Sequence, residues 1–196
     1  MLETLRQHGL AERTLVFFSS DNGPWLIMGD QGGSAGLLRD GKGSTWEGGM
    51  RVPGIAWWPG QVKPGVTSEV VCTMDLFSTS LALAGVLIPI GVTIDGRDMT
   101  SLLCHGTLLI EAPFYYYRGD TLAACRLGPW KAHFMTQPGY GPGKPESHDQ
   151  PLLFHLGSDP SEKRNVAAEN SEVVARIQAA VAIHRASVIL GEPQLQ

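Results

Sequence analysis

Residues 14–20, Thr-Leu-Val-Phe-Phe-Ser-Ser, form a β-branched and aromatic run with almost no polar interruption. That pattern predicts a strand buried on both faces, as in a parallel sheet. Leu2, Leu5 and Leu10 predict a short helix over 1–10, with Gly9 near its end. Helix and strand together read as the tail of a βαβ unit. The strand stops at Asp21-Asn22-Gly23-Pro24, which is turn chemistry. Residues 23–50 read mostly as loop, and Ile55–Trp58 as a second short strand closed by Pro59-Gly60. Asp75 is placed to cap a helix that runs to about Ala84 and ends at Gly85.

The rhythm then changes. Pro89, Gly91, Gly96 and Gly106 interrupt the pattern, which places a domain boundary between residues 110 and 111. Beyond it, Pro113–Arg118, Thr121–Leu127, Trp130–Thr136 and Leu152–Leu156 predict an antiparallel sheet, with hairpin turns at Gly119-Asp120 and Gly128-Pro129. Residues 137–150 read as a Pro/Gly-rich loop. Residues 171–190 predict an amphipathic helix with Val174, Ile177, Val181 and Val188 on its apolar stripe. The expected fold is therefore α/β over 1–110, followed by a small α+β domain over 111–196. A strand meant to be covered on both faces has too little of an α/β domain around it here. The chain is expected to be part of something about twice as long, and on its own to associate or precipitate.

Composition narrows the function classes. In 196 residues, 43% are hydrophobic and 17% charged, with a net charge of −4, which suits a packed globular chain and gives no nucleic-acid footprint. No apolar run approaches the roughly 20 residues of a membrane helix. Met1-Leu2-Glu3-Thr4-Leu5-Arg6 contains no apolar signal-peptide core. Cys72, Cys104 and Cys125 fit no zinc spacing. Asn22, Asn165 and Asn170 all fail the N-glycosylation pattern.

The candidate chemistry lies at the end of the first strand, where open α/β sheets bind ligands. Asp21 and Asn22 offer hard oxygens of the kind Ca²⁺ or Mg²⁺ prefers; Asp-Asn-Gly alone is more often only a turn. Lys42 sits between Gly41 and Gly43, which let the backbone approach a ligand; alone, it is a surface lysine. A carboxylate, an amide and a lysine so arranged would hold a small oxyanion. In the second domain, Tyr117, Arg118 and Asp120 lie in one hairpin and could meet a sugar sulfate. His133 would line the same site if its strand faces the cleft, and is otherwise an ordinary strand histidine.

A strand ending in Asp21-Asn22-Gly23, then Gly41-Lys42, then Thr45-Trp46-Glu47-Gly48-Gly49-Met50-Arg51-Val52-Pro53 resembles the sulfatase family. Met74-Asp75-Leu76-Phe77, Phe114-Tyr115-Tyr116, Lys131-Ala132-His133-Phe134 and Pro151–Gly157 extend the resemblance over nearly the whole chain, most closely to the branch that desulfates N-acetylgalactosamine 6-sulfate, with an arylsulfatase acting on another sulfate ester as the alternative. The resemblance implies an alkaline-phosphatase-like domain and hydrolysis of a sulfate ester. It makes Asp21 and Asn22 two ligands of one Ca²⁺, and Lys42 a catalytic sulfate contact. Trp46, Glu47 and Arg51 become scaffold, with Arg51 paired internally. It further implies a sulfated saccharide or aryl sulfate substrate, a lysosomal or secreted location, and a homodimer when complete. The family's nucleophile is a formylglycine made from cysteine in a Cys-x-Pro-Ser-Arg motif, and none of the three cysteines sits in one. The chain is therefore expected to carry about half a site and to be inactive alone, which leaves a non-catalytic role open. Relatives carry a cysteine just before the Gly-Lys pair; here that residue is Asp40.

Overall fold

The computed structural model of the chain describes residues 1–107, 111–189 and 191. In chain order the regular elements are α1 (Leu2–Gln7), β1 (Val16–Ser19), α2 (Glu47–Met50), β2 (Gly54–Trp57), α3 (Thr73–Leu83), α4 (Thr100–His105), β3 (Phe114–Arg118), β4 (Thr121–Leu127), β5 (Trp130–Thr136), β6 (Glu146–His155) and α5 (Ser171–Ser187), with short 3-10 turns between them. They fall into two compact units: Met1–Ser19 with Pro53–Ile110, and Ser20–Val52 with Glu111–Gln196. The loop after the first strand thus packs with the C-terminal half of the chain, although its place in the sequence put it with the α/β portion.

In the first unit, β1 pairs with β2, and the pairing is antiparallel, with Phe18 opposite Ile55. This differs from the parallel, doubly covered strand that the apolar run predicts. Phe18 is 68% exposed and Ile55 59%. Helix α1 buries no residue. Helix α3 starts one turn earlier than expected: Cys72 is its N-cap, and Asp75 at the third position accepts the Cys72 backbone N–H (2.8 Å). The same carboxylate accepts the Arg97 backbone N–H (2.7 Å). It therefore ties α3 to the stretch that leads into α4, a helix the sequence pattern missed because Pro and Gly dominate its surroundings.

The second unit is built on a four-stranded sheet in the order β3-β4-β5-β6. Every neighbouring pair is antiparallel, with the two predicted hairpins in place. Strand β6 begins at Glu146, inside the segment that read as loop, and holds Pro151; an edge strand tolerates the missing N–H. Side-chain alternation sends the two faces to different partners. Cys125, Ala132 and Leu153, aligned across three strands, meet Ile177 and Val181 of α5 in the apolar core. Val174 packs there too, while Val188 lies beyond the helix end and is exposed. The opposite face carries Tyr116, Lys131, His133 and Phe154. It is covered by the motif around Trp46 and Glu47.

Candidate functional site

The Thr45–Gly49 motif inserts charge into a dry interior. Glu47, Lys131, Glu162 and His133 are all essentially without solvent exposure. The Lys131 ammonium donates to the Thr45 carbonyl (2.8 Å) and to Glu47 Oε1 (2.9 Å), and lies 3.2 Å from Glu162 Oε1. Tyr116 donates to Glu47 Oε1 (2.9 Å), and Arg126 approaches Glu47 Oε2 (3.5 Å). Glu162 accepts the Glu47 backbone N–H (2.6 Å) and pairs with His133 Nε2 (2.7 Å). Two carboxylates face two cations, so the buried charges cancel, the condition under which burial is tolerated. Burial alone would raise the Glu162 pKa. The His133 hydrogen bond, the Lys131 charge and the Glu47 N–H outweigh it and hold the acid below its usual range. Burial likewise presses His133 down to about 4. It is thus neutral at pH 7, with Nε2 carrying the proton toward Glu162.

His133 is consequently a buried strut. It lies against Trp46 at 4.3 Å, the rings tilted by 38°, and takes no part in any open surface. Its strand faces the motif and not a cleft, so the substrate contact expected of it is replaced by a role in the network. Trp46 also carries the Arg39 guanidinium at 3.6 Å, and Arg39 donates to the Glu162 carbonyl (2.8 Å). Arg51, expected to pair internally, is exposed.

Glycines let the three motifs touch. The Gly23 N–H donates to the Gly49 carbonyl (3.0 Å), and a Cβ on Gly23 would lie 1.8 Å from the Gly48 oxygen. A Cβ on Gly48 would lie 2.2 Å from the Asp40 oxygen. The Lys42 N–H donates to the Pro24 carbonyl (2.8 Å). The Asp-Asn-Gly turn, the Gly-Lys pair and the Glu-Gly-Gly turn are thereby locked backbone to backbone.

The lock creates a pocket of about 220 Å³ lined by Asn22, Lys42, Ser44, Tyr117, Arg118 and Tyr140, among others. Four residues singled out in the sequence, Asn22, Lys42, Tyr117 and Arg118, meet here. Asp21 is exposed beside it on the same turn, and Asp120 is exposed at the hairpin tip, where Thr121 bonds it. Tyr117 is oriented from behind by His184 Nε2 at 2.8 Å from its hydroxyl. A larger hollow of about 350 Å³ lies beside Leu37, Arg39 and Lys163, and holds none of the candidate residues. With hard oxygens and two cations, the smaller pocket is chemically suited to an oxyanion. Tyr140 and Glu162 gave no sequence signal, since both lie in loops without periodicity.

Asp21 and Asn22 fit one edge of a divalent-cation site by donor type. Among the described residues there is no cluster of three or more His, Cys, Asp or Glu side chains able to complete one.

Comparison with known proteins was informative over the whole length. The family model described as Sulfatase matches residues 1–86, and that described as C-terminal region of aryl-sulfatase matches 111–196. The chain is 42% identical to human (Homo sapiens) N-acetylgalactosamine-6-sulfatase over its full length, and 39% identical to human arylsulfatase A over 96% of it. It spans about 42% of the first relative's length and 43% of the second's. The solved sulfatase from Pseudoalteromonas sp. superposes with a TM-score of 0.84 at 31% identity, over 94% of this chain and 39% of that one.

Proposed function

Since the chain belongs to the sulfatase family, we propose that it forms the sulfate-gripping half of a sulfuric ester hydrolase that acts on sulfated sugars. The observation that carries this reading is the convergence of Asn22, Lys42, Tyr117 and Arg118 on one pocket. Lys42 sets a compact positive charge where a sulfate oxygen gains charge as the S–O ester bond breaks. Asn22 and Arg118 add hydrogen-bond donors, and Tyr117, fixed by His184, offers a ring. The buried network beneath holds the Thr45–Gly49 turn, and through Gly49 the Asn22 turn, in one geometry. Asp21 and Asn22 would hold a divalent cation, Ca²⁺ in the family, which when bound neutralises charge on the sulfate. Formylglycine, the family's nucleophile, would have to be supplied by residues other than the three cysteines here.

The favoured substrate is a 6-sulfated galactosamine or galactose unit of a glycosaminoglycan, by likeness to the human 6-sulfatase. An arylsulfatase A-like substrate is the second reading, favoured by nearly equal identity. A lysosomal or secreted setting and a dimeric whole enzyme follow the same likeness. The 196-residue chain alone is expected to show no turnover of an aryl sulfate. In an enzyme that contains it together with the nucleophile, Asp21→Asn should lower both metal content and rate, by about a hundredfold or more in rate. Lys42→Ala should cut the rate to a similar degree and leave metal content nearly unchanged. Wild-type turnover in both variants would overturn the assignment.

A further inference from the structure

Two exposed aromatic rings flank Lys42, and the backbone is built to keep them there. Tyr140 is 49% exposed and Trp25 43%. Their ring centroids are 6.3 Å apart at an interplanar angle of 62°. The Lys42 ammonium lies 5.6 Å from the centre of the Trp25 ring. Tyr140 belongs to a Pro/Gly loop that gave no sequence signal, yet four hydrogen bonds run that loop alongside residues 40–45. Thr45 N–H donates to the Gln137 carbonyl (3.1 Å), and Gln137 N–H to Thr45 Oγ1 (3.4 Å). Gly139 N–H donates to the Asp40 carboxylate (2.9 Å), and Tyr140 N–H to the Lys42 carbonyl (3.2 Å). The Tyr140 ring closes on Gly43, where even a Cβ would come within 3.3 Å. Trp25 is held from the other side by its N–H bond to the Gly32 carbonyl (2.9 Å), next to the Pro24 carbonyl that fixes Lys42.

Large rings on immobilised backbone beside a cation make an amphipathic site, with apolar faces next to an anion contact. A sulfated pyranose has the matching form: a C–H face that lies on aromatic rings and a sulfate projecting from one edge. We propose that Tyr140 and Trp25 form a saccharide-ring subsite that seats the sugar while Lys42 takes its sulfate. This rests on the sulfate-binding reading above, and names the residues that would separate sugar sulfates from sulfate itself. Asp40 acts as a positioning residue, since its carboxylate ties the Tyr140 loop to the Lys42 loop.

The test is binding, read by ligand-observed NMR, to an enzyme that contains this chain with its nucleophile replaced, with N-acetylgalactosamine 6-sulfate and inorganic sulfate as probes. The two should compete. Tyr140→Ala should weaken the sugar sulfate about tenfold and leave inorganic sulfate unchanged. Tyr140→Phe should restore the sugar sulfate, because the ring and not the hydroxyl does the seating. Lys42→Ala should weaken both probes. If Tyr140→Ala leaves sugar-sulfate binding intact, or weakens both probes alike, the ring subsite is overturned and the Lys42 sulfate contact stands. If Lys42→Ala affects neither probe, or neither binds the enzyme with Lys42 in place, the sulfate-binding reading itself fails.

Discussion

An apolar strand and a polar motif exchange the places that hydropathy assigns them. Strand β1, all but uninterrupted in hydrophobicity, leaves Phe18 exposed opposite an equally exposed Ile55. Residues 44–49, with a hydroxyl pair, a carboxylate and two glycines, are buried throughout. Hydrophobic pattern shows where a strand forms, but coverage depends on what is available to pack against it. The motif's charge is tolerated because it is partnered, Lys131 for the Thr45 carbonyl and the Glu47 carboxylate and Glu162 for the Glu47 N–H, while the buried Ser44 hydroxyl is left without a partner among the described residues.

If matched charge is what allows that burial, removing one cation should be the most damaging change. Lys131→Met leaves Glu47 and Glu162 facing each other with only Arg126 at the edge. The expected cost is about 3–5 kcal/mol, enough to abolish a cooperative transition in many domains. Adding Glu47→Gln and Glu162→Gln should recover part of the loss, since the remaining groups are then uncharged. Thermal unfolding followed by circular dichroism checks both. A small effect of Lys131→Met alone would mean that the second unit stands on its apolar core and the comparison above is mistaken.

Much of this was readable from sequence, and the failures have physical causes. Strands β3 to β5 and their hairpins follow from alternation bounded by Gly119-Asp120 and Gly128-Pro129, because local turn chemistry sets the register. Asn22 and Lys42 were legible as residue types suited to an oxyanion, and Tyr117 and Arg118 as ones suited to a sugar sulfate. Their meeting was not, because it depends on glycine contacts such as Gly23 with Gly48, which no periodicity encodes. His133 was misread as a site residue because Lys-Ala-His-Phe does not say which sheet face meets the motif. The antiparallel partner of β1 was missed because an apolar run cannot state the direction of its neighbour.

His133 sharpens the comparison through pH. Its pKa, 6.5 ordinarily, is about 4 in the folded chain, chiefly from burial. Above pH 6.5 neither state holds the extra proton, so this contribution to stability is whole. Between pH 6.5 and 4 the unfolded chain takes up a proton that the folded chain refuses, and stability falls by about 1.4 kcal/mol per unit, about 3 kcal/mol in all. Glu162, held low, adds a loss that begins as pH drops into the ordinary carboxylate range, where the unfolded chain's carboxyl takes up a proton and the folded one does not. Unfolding midpoints at pH 7, 5.5 and 4 measure the slope. His133→Gln can still donate to Glu162 and should flatten the upper part of the curve. An unchanged slope in that variant would place the acid sensitivity elsewhere.

The smallest effect should come from the apolar strands. Phe18 and Ile55 face each other across β1 and β2 with most of their surfaces in solvent. Substituting both by threonine keeps good strand formers at both positions while removing apolar surface that nothing within the first unit covers. The expected change in unfolding free energy of this chain is within about 0.5 kcal/mol, the usual range for surface positions. Solubility should rise, because an exposed apolar cross-strand pair on a two-stranded sheet invites association. Light scattering and thermal unfolding on the double variant read the two quantities separately. A loss of several kcal/mol with no change in association would mean that the pair is packed after all. The contrast between an uncovered apolar strand and a covered polar motif would then have to be abandoned.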